Sequence, residues 1–335
     1  MSPPVLTQLC LVSAQATPNL TPALDPATRP GRVILLVSPD MQSKADWLEL
    51  VLRPRGVRVD RWPIEDAWDV EGVQSRLLEL LDRERDAMEA GAIALNATGG
   101  TKPMSIAAYE VFRELGLPIF YVHPEKDRLI WMHPSGRAAV DLANRLDLEP
   151  FLRAYGARVT ASQSSGVPER RRALTDWLVA NVRAYGEVLA RLNYLASAAE
   201  QGLVSPEMDS GQLRDQRLQA LIDRFAAEGV IEPKGRRLRF PDEDARFYVN
   251  GGWLEEHVFD ILRDLRGDLP QVQDLARSVS IARESARGAA VPNEIDVACL
   301  SENRLYLVEC KTRGWRQDAS GAEALYRLDA LADLL

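Results

Sequence analysis

Between residues 5 and 133 short apolar runs alternate with amphipathic ones, and this alternation restricts the first half of the chain to very few folds. The runs at 6–12, 32–37, 57–61, 92–96, 118–122 and 129–132 read as strands, and 44–52, 70–89 and 104–115 carry helical patterns between them. Strands alternating with helices imply a parallel, doubly wound α/β sheet of Rossmann type. In such a sheet ligands bind outside the carboxyl ends of the strands.

One of those ends is followed by Asn96-Ala97-Thr98-Gly99-Gly100-Thr101-Lys102-Pro103. Gly99 and Gly100 allow a tight turn and a close backbone approach. Pro103 suits the first turn of the next helix, where its missing N–H is no loss. The helix N-terminus then presents unpaired amides and a positive dipole end to an anion, with Thr101 and Lys102 as further donors. The G-x-x-x-x-G-K-[ST] spacing of a Walker loop is absent, and so is a dinucleotide fingerprint. A plain strand-to-helix turn is the alternative. The first strand ends in a matching polar run, Ser13-Ala14-Gln15-Ala16-Thr17-Pro18-Asn19, in which Gln15 and Asn19 can read a base or ribose by hydrogen bonding.

Near the C-terminus Asn293-Glu294-Ile295-Asp296 is followed, across Leu305-Tyr306-Leu307-Val308, by Glu309-Cys310-Lys311. Read at period two, Ile295 and Val297 share one face and Glu294 and Asp296 the other, while Glu309 and Lys311 share a face of the next strand. Asp296 and Glu309 can share a hard cation, Mg²⁺ or Mn²⁺, and Lys311 can orient or help deprotonate a water there. That is equipment for cleaving a phosphodiester. A solvated ion pair is the alternative for E-x-K alone, but the apolar flanks make unpaired charge costly. Only five of the 41 basic residues are lysine, so Lys311 is not default surface decoration.

The 335 residues suffice for two domains with a smaller third between them. A net charge of -8 gives no overall attraction to nucleic acid, so such binding must be local. The three cysteines form no C-x-x-C, which disfavours zinc and a disulfide framework and points to the reducing cytoplasm. The N-terminus lacks the basic region of a signal peptide, and no apolar run is long enough to span a bilayer. Residues 161–168 read as a linker, followed by helical patterns at 170–199 and 213–228 and a basic hairpin at 229–240. This connector is read as packing the functional domains together, with a winged-helix-like DNA reader as the other reading. Its apolar stripe at Val179, Val182, Val188, Leu189, Leu192 and Leu195 is core or part of a dimer contact. A last helix is expected at 321–335.

The loops around Gln15 and Gly99 resemble those of the CARF domain, the CRISPR-associated Rossmann fold that senses cyclic oligoadenylates in type III CRISPR immunity. The E-I-D and E-C-K strands resemble the PD-(D/E)xK nucleases, restriction-endonuclease-like folds with an α-β-β-β-α-β core. The whole chain is thus similar to the CARF–nuclease fusions. The resemblance implies domains at 1–160 (sensor), 161–250 (connector) and 251–335 (nuclease). It implies Ser13, Gln15, Asn19, Asn96, Thr98, Gly99, Gly100, Thr101 and Lys102 as the ligand loops. In the nuclease it implies Asp296 and Glu309 as metal ligands, with the Cys310 carbonyl, and Lys311 as the catalytic lysine. Glu255, in a helix expected from Trp253 to Arg266, is the upstream acid, with Glu256 as substitute and Glu294 in a supporting or second-metal part. The implied activator is cyclic tetra-adenylate, the substrate DNA or RNA, and the assembly a homodimer, since a two-fold ring is matched by two copies of one surface. A transcription regulator that binds DNA through 170–240 and a ring nuclease that only degrades the messenger are the competing readings.

Overall fold

The computed structural model describes residues 6–123, 126–143, 145–284, 290–312, 325–326 and 328–332. The sensor half is built from β1 (Thr7–Leu11), α1 (Thr17–Leu24), β2 (Arg32–Val37), α2 (Gln42–Leu52), β3 (Arg58–Pro63), α3 (Val70–Arg83), α4 (Arg85–Glu89), β4 (Ile93–Asn96), α5 (Lys102–Glu114), β5 (Ile119–His123), β6 (Arg128–His133) and β7 (Val140–Asp141). Their sheet runs β3-β2-β1-β4-β5-β6-β7, parallel through β5 and antiparallel beyond it. The expected doubly wound sheet is present, with its strand order reversing between β1 and β4.

Period-two burial explains the layers. Cys10, Val33 and Leu35 face α1 and α2, whereas Leu9, Leu11, Ile34 and Leu36 face α3 and α5. The reading of 70–89 as a single helix is corrected to two, α3 and α4.

After α6 (Leu148–Ala154) comes β8 (Ala157–Gln163), which pairs not with the sensor sheet but with β11 (Val272–Glu284). The boundary drawn at 160 therefore falls inside a strand, and Ala161-Ser162-Gln163 are sheet residues rather than linker. Ala157 is buried and Val159 packs on the core, so this strand is held from one face.

The connector comprises α7 (Glu169–Ser197), α8 (Ser210–Arg214), α9 (Gln216–Ala227), the hairpin β9 (Glu232–Lys234) and β10 (Arg237–Arg239), and α10 (Glu243–Phe247). Val188, Leu189, Leu192 and Leu195 join its core, while Val179 and Val182 stay exposed. Part of the hairpin's charge is locally matched: Arg237 pairs with Glu207 at 3.2 Å, Arg239 with Glu232 at 3.4 Å, while Arg236 donates to the Met208 carbonyl.

A wide helical turn, Tyr248–Gly252, leads into α11 (Trp253–Arg266). The last sheet is antiparallel, β13-β12-β11-β8, with β12 spanning Ala290–Ser301 and β13 Arg304–Val308. One face, with Val279, Ile281, Ile295 and Leu300, shares a core with the sensor's α1, α2 and α6, and the other packs Leu275 and Val297 on Phe259 of α11. Of the helix expected at 321–335, residues 325–326 and 328–332 are helical and the rest lies outside the described residues.

Helix α1 runs against expectation, because Pro18 and Pro22 both fall within it. Pro22 has no N–H for the carbonyl of Pro18, four residues back. Asn96 supplies the missing donor, its Nδ2 lying 2.8 Å from that carbonyl and 3.2 Å from Asn19 Oδ1. Asn19 in turn donates to Leu11 O at 3.0 Å. Both asparagines have no exposed surface. Asn96→Ala strands buried acceptors and should lower stability by about 1 to 3 kcal/mol. Urea denaturation would read this as a lower midpoint at unchanged slope, and an unmoved midpoint would show that the network bears no weight.

Candidate functional site

The first candidate site lies at the carboxyl ends of β1 and β4, the crevice where the strand order reverses. Loop 97–101 crosses the end of β1 so closely that a Cβ on Gly99 would collide with Leu11 O. Gly100 has φ 74, in the left-handed region that favours glycine. Thr101 caps α5, accepting from Met104 N at 3.2 Å, and donates to Ala67 O at 2.5 Å. Its hydroxyl is thus engaged within the protein at both its donor and an acceptor position. Thr98 is held likewise, donating to Asn96 Oδ1 at 2.7 Å and accepting from Val122 N at 2.8 Å.

Asn19 and Asn96, expected to face a ligand, instead lie beneath the loops and brace them, as their buried hydrogen bonds require. Gln15 and Lys102 are exposed, and Ser13, Thr98, Gly100 and Thr101 are half-buried beside them. In the first turn of α5 Pro103 has no N–H and the Met104 N–H is taken by Thr101, so the Lys102 side chain and N–H, with the positive dipole end, form the anion-seeking edge. All nine expected ligand-loop residues gather here, divided into an exposed rim and a buried brace.

The second site lies between α11 and the end of the β12–β13 ladder. Ile295 and Val297, expected to share a face, do not: Ile295 packs into the core under the sensor helices and Val297 against Phe259. The alternation breaks at Ser278 of β11, which has φ 47, while the β11–β12 register stays in step on either side, Arg277 with Val297 and Val279 with Ile295. Such a local irregularity re-aims the side chains beside it.

Asp296, 7% exposed, accepts from the Cys310 N–H at 2.6 Å. Val297 faces Val308 across the ladder, so the same register carried one step further sets Asp296 opposite Glu309. Lys311 reaches back to Glu309, with Nζ 2.5 Å from Oε1. Of the two acids in the first turn of α11, Glu256 is buried between Arg171, at 3.0 Å, and Arg277, at 3.4 Å. Glu255 has no such neutral setting. Burial, then the charges of Asp296 and Glu294, push its carboxyl up to about 8, against weaker help from the Ser278 hydroxyl at 3.3 Å and from Arg277. The Cys310 thiol is pushed up to about 12, by burial first and then by Asp296, Glu255 and Glu309. The structure therefore brings Glu255, Glu294, Asp296, Glu309 and Lys311 into one electrostatic neighbourhood, with Glu294 on its exposed side.

Among the described residues no three His, Cys, Asp or Glu side chains gather tightly enough to form a finished metal cage. The donor chemistry nonetheless fits a hard divalent cation, being all oxygen and mutually repulsive. Sequence reasoning missed Arg277 and Ser278, which face Glu255 from β11; an Arg-Ser pair within an unrecognised strand carries no motif.

The crowding has a measurable consequence. A carboxyl raised from 4.5 to about 8 keeps its proton in the folded state over an interval where the unfolded chain has lost it. Metal-free protein should therefore lose stability as pH rises through that interval, and Glu255→Gln should flatten the loss. Denaturation midpoints at a series of pH values test this, and equal slopes for both proteins would show that Glu255 is not crowded.

Comparison with known proteins assigns a family to each of the two regions that hold these residues. Residues 7–151 match the domain family described as the Card1 CARF domain, and residues 242–335 match the Card1-like endonuclease domain. Curated proteins provide no significant match. Among solved structures, protein VC1899 from Vibrio cholerae is 28% identical with a TM-score of 0.86, over 98% of this chain and 85% of that one. Can2 from Sulfobacillus thermosulfidooxidans, solved in complex with cyclic tetra-adenylate, is 26% identical with a TM-score of 0.78 over the same shares, 98% and 85%. A type III CRISPR defence DNA nuclease activated by cyclic oligoadenylate shares the fold at 22% identity and a TM-score of 0.54, over 90% of this chain and 39% of its own. The chain thus joins a CARF domain, which holds the Gly99–Lys102 loop edge, to a Card1-like endonuclease domain, which holds the Asp296–Glu309–Lys311 cluster, matching the CARF–nuclease fusions.

Proposed function

We propose that this protein is a divalent-metal-dependent endonuclease of type III CRISPR defence, switched on by cyclic tetra-adenylate bound at the Gly99–Lys102 edge and working as a homodimer. The observation that carries the reading is the convergence of Glu255, Asp296 and Glu309 from a helix and two strands, with Lys311 paired to the last of them. The likeness to Can2 with its bound cyclic tetra-adenylate supports the choice of activator. Glu255, Asp296, Glu309 and the Cys310 carbonyl would hold Mg²⁺ or Mn²⁺, which supplies Lewis-acid stabilisation of the charge built up on a phosphodiester. Lys311, on the exposed side of Glu309, is placed to orient or deprotonate the attacking water. Lys102, at the positive end of α5, would meet phosphate or ribose of the ring, Gln15 and Ser13 its remaining polar edge.

The paired arginines of the connector hairpin weaken the competing picture of a DNA-reading regulator, since a cation already neutralised by a neighbouring acid attracts phosphate poorly. Among the described residues no helix is long and apolar enough to cross a membrane. A two-fold ring bound by two copies of the sensor also explains why one chain alone would be an incomplete receptor.

Labelled single- and double-stranded DNA and RNA, incubated with purified protein, Mn²⁺ and each cyclic oligoadenylate in turn, test the reading directly. Cleavage should need both metal and activator, and EDTA should abolish it; undiminished cutting in excess chelator would remove the metal assignment. Lys311→Ala should lose cleavage by a factor on the order of 10² while activator binding persists. Lys102→Ala removes a charged hydrogen bond of roughly 1.5 to 3 kcal/mol, displacing the activation curve about ten-fold or more to higher activator at a similar plateau. A lower plateau at unchanged half-saturation would instead put Lys102 in the catalytic machinery.

A further inference from the structure

The strand leading to Glu309 and Lys311 ends its ladder at Val308, so beyond it the backbone is held by side chains, first by Asp296, which accepts from the Cys310 N–H. Thr312, directly after Lys311, is met from two sides. On one, Asn193 of α7 sets its amide nitrogen 3.0 Å from Leu189 O and 2.9 Å from Val249 O, leaving its oxygen 3.2 Å from Thr312 Oγ1. In that orientation every donor meets an acceptor. On the other, the backbone turn into α11 touches the same hydroxyl: a Cβ on Gly251 would lie 2.7 Å from Thr312 Oγ1, and Gly251 has φ 120. Asn193 is 8% exposed, so its amide is shielded and held by two carbonyls before it reaches Thr312.

We infer that Asn193 is a positioning residue for the nuclease, clamping Thr312 so that Lys311 stays beside Glu309 and the acid cluster. The inference rests on the nuclease reading above and adds to it a task for the connector helix. The physical reason is local. Lys311 is 42% exposed on its side chain and four carbons long, so its ammonium goes where the backbone below it goes. Beyond Val308 the backbone has no ladder partner among the described residues; it is held before Lys311 by the Cys310 N–H to Asp296 and after it by the Thr312 hydroxyl to Asn193, so Lys311 sits between two fixed points. A displacement on the order of 1 Å at a catalytic group can cost about 10²-fold in rate, so a single hydrogen bond at this place has leverage. The Asn193 amide also holds the carbonyl of Val249, just before α11, which ties the helix bearing Glu255 and the strand end bearing Lys311 to one side chain.

Three variants test the clamp, each with metal and activator saturating and with Mn²⁺ binding followed separately by calorimetry. Thr312→Val removes the hydroxyl and keeps the shape, and should lower kcat about ten-fold. Mn²⁺ affinity and the activator half-saturation should stay within about two-fold, because Asp296, Glu309 and the sensor loops are untouched. Thr312→Ser keeps the hydroxyl and should restore most of the rate. Asn193→Ala should cost at least as much as Thr312→Val, since it also frees the carbonyls of Leu189 and Val249, and the double variant should be no worse than Asn193→Ala alone, since the bond between the two side chains is already lost there. Hydrogen exchange at residues 309–312 should quicken in Thr312→Val and Asn193→Ala and not in Thr312→Ser. Wild-type kcat in Thr312→Val, or a Thr312→Ser variant as slow as Thr312→Val, overturns the proposal. Lys311→Ala is the separate control: if it cuts normally the nuclease reading itself fails, and if it is inactive while Thr312→Val is normal, only the clamp fails.

Discussion

Carboxylates crowded against one another in a nearly dry crevice dominate the C-terminal half of this molecule. Asp296, Glu255 and Glu309 come from three different elements, and each is drawn in by the packing of its neighbours rather than by attraction to the others. A cluster of like charges out of water is unfavourable unless something compensates. Part of the compensation is visible: the Cys310 N–H for Asp296, the Ser278 hydroxyl for Glu255, Lys311 for Glu309. The uncompensated remainder raises Glu255 and leaves a site that a divalent cation would relieve. The buried pair of Arg171 and Arg277 around Glu256 serves the opposite purpose, neutralising the neighbouring acid so that only one of two adjacent glutamates joins the cluster.

The crowding can be tolerated because the sheet beneath it does not stand alone. Its inner face shares a core with α1, α2 and α6, and β8 enters it directly from the end of the sensor half. A polar seam adds direction to that contact. Asn303, in the β12–β13 turn, donates to Asp127 Oδ2 at 3.0 Å and accepts from Gln273 Nε2 at 2.9 Å, and Gln273 also donates to Leu146 O at 3.0 Å. The sensor thus grips the tip of the hairpin whose other end presents Asp296. Control of one site by the other requires that the activator bind two arrangements of the protein unequally, and rigid attachments of this kind are what make such arrangements discrete.

The parts of this architecture legible in the sequence are those with strong local periodicity. The run 32–37 is a strand over that whole span, and Trp253–Arg266 is a helix with the expected ends, because Gly251 and Gly252 precede its apolar stripe. Helix α1 is illegible: two prolines argue against a helix, and the asparagine that rescues it lies 78 residues away. Strand β11 escapes notice because its alternation changes phase at Ser278, and β8 because Ala161-Ser162-Gln163 has linker composition yet is paired from outside. In the sites, residue type points to the right neighbourhoods but not to exposure. Asn19, Asn96, Thr98 and Thr101 have the chemistry of ligand donors, and only tertiary hydrogen bonds reveal that they are already spent on holding the loops.

The connector resolves a remaining tension between function and charge. A chain with a net charge of -8 repels nucleic acid at long range, and two of the hairpin arginines that could have countered this, Arg237 and Arg239, are paired with Glu207 and Glu232. Any productive approach must therefore depend on short-range contacts at the crevice itself, where a bound cation would change the sign of the local field. Such a surface holds substrate weakly except where the acid cluster is neutralised. In this arrangement α7 and its neighbours contribute geometry rather than attraction: they set α11 and the end of β13 at the separation that the cluster needs, and leave the charge at the crevice to the residues that line it.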